Sequence, residues 1–371
     1  MAACLTGLSL VAHVASPSSF HQPEDNWKAR IIAHQTHPAF KVRPITTGIV
    51  TELHRIFGWS YRDAFFALQL LLMLLCGPVL YHYLRRFDFA HGYAVGGMII
   101  FYLSLPVFMA HFDPVYTWDD FWVYLMIPLS FICVLRRFTI MAILTLVWAM
   151  LARETSIMFL PAWFILIRQI EHGRLARPVF YTLLALLVVA VFRGTMAAPA
   201  PAAEFKLGYN FAYSLRTGDT IFSLLAALGF LWPVGIYQIR SGAGPSSNYL
   251  GLFRWGAVIT AAGFVLSTIL FAQARETRLF FPPFVFFIPL ALLFIRDHAD
   301  AAGRLWRRTK TGLTIAAITC LLAVSVAVTI LVFPAFDFRT WQDGNRLFFS
   351  LHLTAAGLAG IVHLYRKRLS S

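Results

Sequence analysis

The sequence predicts an all-α protein, a polytopic bundle of about twelve membrane-spanning helices forming one domain over residues 1–371. Three observations lead to this reading. Hydrophobic residues make up 59% of the chain and charged residues 13%, where soluble domains carry roughly a quarter charged. Mean hydropathy is +0.69, and apolar stretches recur from end to end near the length that crosses about 30 Å of hydrocarbon. No low-complexity tail or soluble insert interrupts them.

The apolar stretches fall at 3–19, 64–84, 92–111, 120–135, 138–152, 156–168, 178–193, 220–238, 255–273, 279–295, 311–333 and 347–365. The first lacks the basic residues that precede a secretory signal's apolar run. It reads as a short membrane helix, although AHVAS also resembles a weak cleavage site. The first outer loop, residues 20–63, is the longest. Within it Ile45, Ile49, Val50, Leu53, Ile56 and Phe57 share one face of a helix over 45–57, and Gly58 is a natural stop. That helix lies either along the outer membrane surface or packed on the bundle.

Basic residues set the orientation. With the N-terminus inside, 17 of the 31 Lys and Arg residues fall in the inner loops and C-terminus. Eight fall in short outer loops and six in the long first loop, where the positive-inside rule is weak. Both termini are therefore expected in the cytoplasm, and 13 of the 17 acidic residues on the outer face. The net charge of +14 comes from short clusters such as RR, RLWRRTK and RKR beside the spans, as topology and anionic lipids require. It does not point to nucleic acid. The four cysteines have no CxxC spacing and read as packing residues.

The outer face holds the candidate chemistry. Glu24 and Asp25 follow the first span and read either as a solvated turn after Pro23 or as a general base or divalent-cation ligand. HQTH at 34–37 has two histidines but no dependable third metal ligand. A divalent cation is possible and nothing in the sequence requires one. The third loop, HFDPVYTWDDFW, carries Asp113, Asp119 and Asp120 without a cation of its own; the DD pair either caps the next helix or lines a polar groove.

The tetrapeptide ARET occurs twice, at 152–155 and 274–277, each time before an apolar run containing proline. It places Arg153 and Glu154 at one outer boundary, and Arg275, Glu276 and Arg278 at another. Ionised groups at membrane depth cost about 3 kcal/mol or more, so they either pair or serve a polar cavity. Arginine there suits a phosphate, which it grips with two parallel hydrogen bonds, or closes an interhelical salt bridge.

The ordered run KVRP, DPVYTWDDFWVYLMIPLSFICVLRRF, ARETSIMFLPAWFILI and ARETRLFFPPFVFFIPLAL, over roughly residues 20–295, resembles bacterial membrane proteins of the type-C glycosyltransferase superfamily. The resemblance implies a cytoplasmic-membrane enzyme that transfers a sugar from a polyprenyl-phosphate carrier on the outer face. Its members place an acidic catalytic residue in the first outer loop, a position matched here by Glu24 and Asp25. It further implies that Arg43, Arg153, Arg275 or Arg278 neutralises the carrier phosphate, with membrane lipid around the bundle. Rival readings are a lipid-linked-oligosaccharide polymerase or ligase, a transporter or flippase, and a noncatalytic scaffold.

Overall fold

The computed structural model describes residues 1–15, 22–36, 42–108, 119–171, 175–196, 217–241, 249, 251–271, 277–308, 311–332 and 342–370. Among them there is no strand, and the chain is all-α. By its contacts it divides into two compact units, Met1–Lys206 with Val258–Gly263 and Leu207–Ala257 with Phe264–Ser371.

The first unit contains α1 (Ala2–Ala15), α2 (Glu24–Thr36), α3 (Ile45–Phe57), α4 (Tyr61–Arg86), α5 (His91–Tyr102) and the single turn α6 (Leu105–Phe108). It continues with α7 (Asp120–Leu135), α8 (Thr139–Ala152), a 3-10 segment Glu154–Phe159, α9 (Leu160–Ile170) and α10 (Ala176–Met196). The helix expected at 45–57 has those bounds. Gly58 ends it at φ +66°, a left-handed conformation in which glycine meets no Cβ clash, and its N–H bonds to His54 O. Thr46, Thr47 and Val50 are buried, whereas Ile56 and Phe57 are 63% and 60% exposed. The start of α3 is thus packed on the unit while its end offers apolar side chains outward.

The core of this unit is aromatic. Trp27 of α2 lies against Phe65 and Phe66 of α4, with ring centres 5.1 and 5.3 Å away. Tyr83 of α4 meets Phe131 of α7, and Phe101 of α5 meets Tyr124. Two buried aromatic residues find hydrogen-bond partners, as burial favours. Tyr102 Oη donates to Met73 O at 2.7 Å, and Trp163 Nε1 donates to Ser130 Oγ, which donates to Ala142 O.

The second unit contains α11 (Thr217–Leu228), α12 (Leu231–Ser241), a π-helical turn Leu252–Gly256, the part of α13 (Ala257–Phe271) from Phe264 onward, a 3-10 turn Thr277–Phe280, α14 (Phe284–Arg308), α15 (Thr311–Val332) and α16 (Gln342–Ser370); residues Val258–Gly263 of α13 belong to the first unit. The first part of α14 is its core. Phe284 to Phe294 are buried on every side, as expected of a helix that is apolar all round. Trp232 of α12 packs edge-on against Phe287, 4.6 Å between ring centres.

Four helices among the described residues are long and apolar enough to cross a membrane: Tyr61–Arg86, Ala176–Thr195, Leu252–Leu270 and Phe348–Arg368. In two of them, Ala176–Thr195 and Phe348–Arg368, only 11% of the apolar window is buried inside the protein, leaving a surface suited to lipid. Shorter apolar helices are Ala2–Val11, Asp120–Leu135, Thr139–Ala152 and Ile315–Leu331. The remaining apolar stretches are broken. Residues 92–111 pause at Leu103–Ser104 between α5 and α6, and 220–238 breaks where Gly229 takes φ +52°.

One close approach gives a test of packing. A Cβ built on Gly77 of α4 would lie 2.6 Å from Tyr102 Oη and 3.0 Å from Ala2 Cβ. Gly77→Ala should push Tyr102 off its carbonyl and destabilise the protein by about 1–3 kcal/mol, read as a lowered melting temperature in detergent. Tyr102→Phe should cost about 1 kcal/mol, the net worth of one hydrogen bond.

Candidate functional site

The densest group of charges in the first unit forms where the α7–α8 hairpin closes. Helix α7 begins at Asp120 and α8 ends at Ala152, after which Arg153 is extended (φ −151°, ψ 120°) before the 3-10 turn starts. Arg153 Nη1 pairs with Asp120 Oδ1, and the two side chains are only 7% and 3% exposed. The first loop supplies the other wall. Arg43 precedes α3, Thr46 sits in its first turn, and His34 ends the buried side of α2.

The neighbours Arg153 and Glu154 point to different partners. Arg43 grips Glu154 with two parallel bonds, Nε to Oε2 at 2.7 Å and Nη2 to Oε1. Arg193, from the last turn of α10, reaches 3.6 Å from Glu154 Oε2 and donates to Met150 O at 2.7 Å. Among the described residues its buried Nε has no hydrogen-bond partner. Two guanidiniums therefore share one carboxylate, and this rim is partly open, with Arg43 21%, Arg193 23% and Glu154 41% exposed.

Asp119 lies in the N-cap position of α7 without capping it. Instead its Oδ1 accepts from Thr46 Oγ1 at 2.6 Å, and its Oδ2 lies 3.9 Å from His34 Nε2. Burial pushes the Asp119 carboxyl up to about 6, even though the Thr46 hydrogen bond, Arg43 and Arg153 all favour its charge. Glu154 goes the other way. Burial opposes its charge too, but Arg43 and then Arg193 hold it at about 2. One carboxyl is thus suited to exchange a proton near neutral pH, and the other is a fixed anion.

The remaining candidates lie elsewhere. Glu24 accepts from the backbone N–H of Tyr61 at 2.5 Å and of Arg62 at 3.3 Å, tying the start of α2 to the start of α4. Carboxylates favour this position because first-turn amides lack helical partners and carry the positive end of the helix dipole. Asp25, beside it, is exposed. Asp113, Arg275 and Glu276 lie outside the described residues, as does His37 of the HQTH pair. Arg278 is half-buried in the 3-10 turn Thr277–Phe280 of the second unit. The structure thus joins Arg43, Asp119, Asp120, Arg153 and Glu154, and adds His34, Thr46 and Arg193. Arg193 had a legible signal, as a lone cation closing a long apolar helix. Thr46 had none, because a threonine on an amphipathic helix reads as ordinary. Among the described residues no three His, Cys, Asp or Glu side chains converge as a metal site.

No family model matches the chain, and no curated protein or solved structure shows significant similarity to it.

The buried Asp120–Arg153 pair should behave as a pair. Asp120→Ala or Arg153→Ala leaves one buried charge uncompensated and should cost about 3–5 kcal/mol, whereas joint replacement by leucine and methionine should recover most of that loss. Thermal unfolding of the three variants checks this, and additive losses in the double variant would show that the two groups do not act together.

Proposed function

We propose that the chain is a multi-pass membrane glycosyltransferase that takes a sugar from a polyprenyl-phosphate carrier at the outer face. The observation that carries the proposal is Asp119. It is a buried carboxyl with a proton affinity near neutrality, beside an open rim where Arg43 and Arg193 outnumber Glu154. General-base efficiency is greatest when the base titrates near the working pH, and arginine pairs are suited to a departing phosphate. In this reading an acceptor hydroxyl gives its proton to Asp119 while its oxygen bonds to the anomeric carbon. The carbon–oxygen bond to the carrier phosphate breaks, and that oxygen keeps the electron pair. Arg43 and Arg193 take up the growing charge by loosening from Glu154, with the unpartnered Arg193 Nε as a further donor.

This assigns the base to the third loop. Of the two first-loop carboxylates that the family resemblance favours, Glu24 has both oxygens on the start of α4, and Asp25 is left as the alternative. The equal number of arginines and carboxylates in the cluster favours a second reading, a purely structural brace.

The pH dependence separates these readings. Because the folded Asp119 titrates at about 6, above its ordinary value of 3.8, its contribution to stability is complete below about 4 and lost as pH rises through 6. At pH 7.5 Asp119→Asn should therefore match or exceed the parent in melting temperature, with the advantage vanishing at pH 4. The same variant should lose about 100-fold or more in turnover of a polyprenyl-phosphate sugar, and the parent rate should rise with pH through an inflection near 6. Undiminished turnover in Asp119→Asn would remove the proposed base, and loss in Asp25→Asn alone would move it to the first loop.

Twelve crossings with both termini in the cytoplasm complete the proposal. Reporters fused after Arg137 and at the C-terminus should then read cytoplasm, and one fused after Met196 should read the outer side. A cytoplasmic signal after Met196 would put the ion network on the wrong face for a lipid-linked donor.

A further inference from the structure

Two histidines meet at the basic end of the second unit. His298 stands beyond the apolar stretch of α14 and is 2% exposed, and His363 is half-buried near the end of α16. His298 Nε2 and His363 Nδ1 are 3.2 Å apart, and Arg366 Nη1, one turn after His363, is 3.5 Å from the same Nε2. Aromatic rings hold both imidazoles in place. Phe294 stacks on His298 with ring centres 3.9 Å apart, and Tyr237 of α12 meets His363 edge-on at 4.8 Å.

Their partners fix where the protons are. His298 Nδ1 lies 2.8 Å from Phe294 O, and a carbonyl only accepts, so this nitrogen carries hydrogen and Nε2 of the neutral ring is bare. Nε2 then accepts from His363 Nδ1 and faces Arg366. One added proton is compatible with the bond, because the two nitrogens still have a single hydrogen between them. A second is not: both nitrogens would carry hydrogen, and two cations would face each other beside Arg366. Burial holds the His298 ring neutral to a lower pH than usual, against its bond to Phe294 O, and Arg366 and His363 add to the effect of burial. Asp297 favours the proton, but it also lies 3.5 Å from Arg296. Tyr237 is the titratable group facing His298 from α12, and Arg254, in the π-helical turn packed on α14, lies over the ring of Trp255.

The helix they hold has little packing of its own. Only 11% of the apolar window of α16 is buried. Its first half is tied to α15 by Ser350 Oγ, which donates to Thr329 Oγ1 at 2.9 Å, and its last turns are tied to α14 through the histidines. We propose that the His298–His363 pair is a proton-operated latch, which docks the last turns of α16 on α14 at neutral pH and releases them when both rings are protonated. The direction follows from His298. Its proton affinity in the folded state is below the ordinary value of 6.5, so the latch is complete above about 6.5 and is lost as pH falls below it. The latch involves the second unit alone and does not rest on the sugar-transfer reading.

The test is hydrogen–deuterium exchange of the full chain in detergent at pH 7.5 and pH 5, corrected for the intrinsic dependence of exchange on pH. Protection of the amides at the end of α16 should fall about tenfold or more at the lower pH, with that of α4 unchanged. His363→Gln keeps a donor and an acceptor for His298 but takes no proton, so it should hold the end of α16 protected at both pH values. His363→Ala lacks the bond and should show the acid level of protection at both. Arg366→Gln removes the nearby cation and should move the acid transition to lower pH. Protection in the parent that does not change with pH, or an acid loss in His363→Gln as large as the parent's, would overturn the latch. Equal acid losses in α16 and α4 would show general unfolding and overturn it as well.

Discussion

The ion pair between Asp120 and Arg153 is the constraint on which the first unit depends. Charges are scarce in this chain, and a charge that leaves water must meet its opposite or become neutral. Helix α7 has 16 residues and α8 has 14, so at 1.5 Å per residue they descend about 24 Å and return about 21 Å. The start of one and the end of the other therefore come back to one level. The pair closes the hairpin there, and the residue on each side is carried into position with it. Asp119, just before, turns to Thr46 and His34, and Glu154, just after, turns to Arg43 and Arg193. Adjacent residues thus recruit separate pieces of the chain, and the first loop is held against the hairpin by both.

That arrangement gives its carboxyls opposite properties. Asp119 has a hydroxyl and a distant histidine for company, which do not offset its loss of water. Glu154 has two guanidiniums and a partly open side chain, which do. Their effects on stability run in opposite directions. Asp119 favours the folded state in acid and opposes it above pH 6, while Glu154 supports the fold above about 4.5 and gives that up only as pH falls through 2. A fold that keeps an ionisable group in an environment that penalises its charge retains a proton-exchanging group at a cost in stability. A brace alone would be served better by asparagine.

Much of this was legible in the sequence because apolar periodicity and charge scarcity are local signals. The helix over 45–57 and its stop at Gly58 follow from spacing alone, and Arg153, Glu154, Asp119 and Asp120 stand out as ions beside apolar runs. Pairings were not legible. Nothing local says that Asp120 and not Glu154 meets Arg153, or that Glu24 reaches 37 residues along to the start of α4. Those choices depend on which helix ends share a level. Hydropathy also merges what backbone geometry separates. Residues 220–238 read as one run, yet Gly229 divides them into two helices, and the run at 279–295 begins in a 3-10 turn before α14.

The repeated ARET has a local explanation that needs no duplicated ligand site. In the first copy the tetrapeptide leads into a 3-10 turn, Glu154–Phe159, and then into α9 with Pro161 in its first turn. In the second it leads into Thr277–Phe280 and then α14, where Pro282 and Pro283 precede Phe284 and Pro283 O accepts from Phe286 N at 2.9 Å. Proline is tolerated at a helix start because it lacks an N–H that would have no partner there, and a 3-10 turn is a compact way to enter a helix. Each ARET is followed by the same device, in which a tight turn and proline fix where an apolar helix begins, half-buried in the first copy and fully buried over Phe284–Phe294 in the second. Chemistry then becomes a matter of what each copy meets, and for the first copy that is Asp120, Arg43 and Arg193.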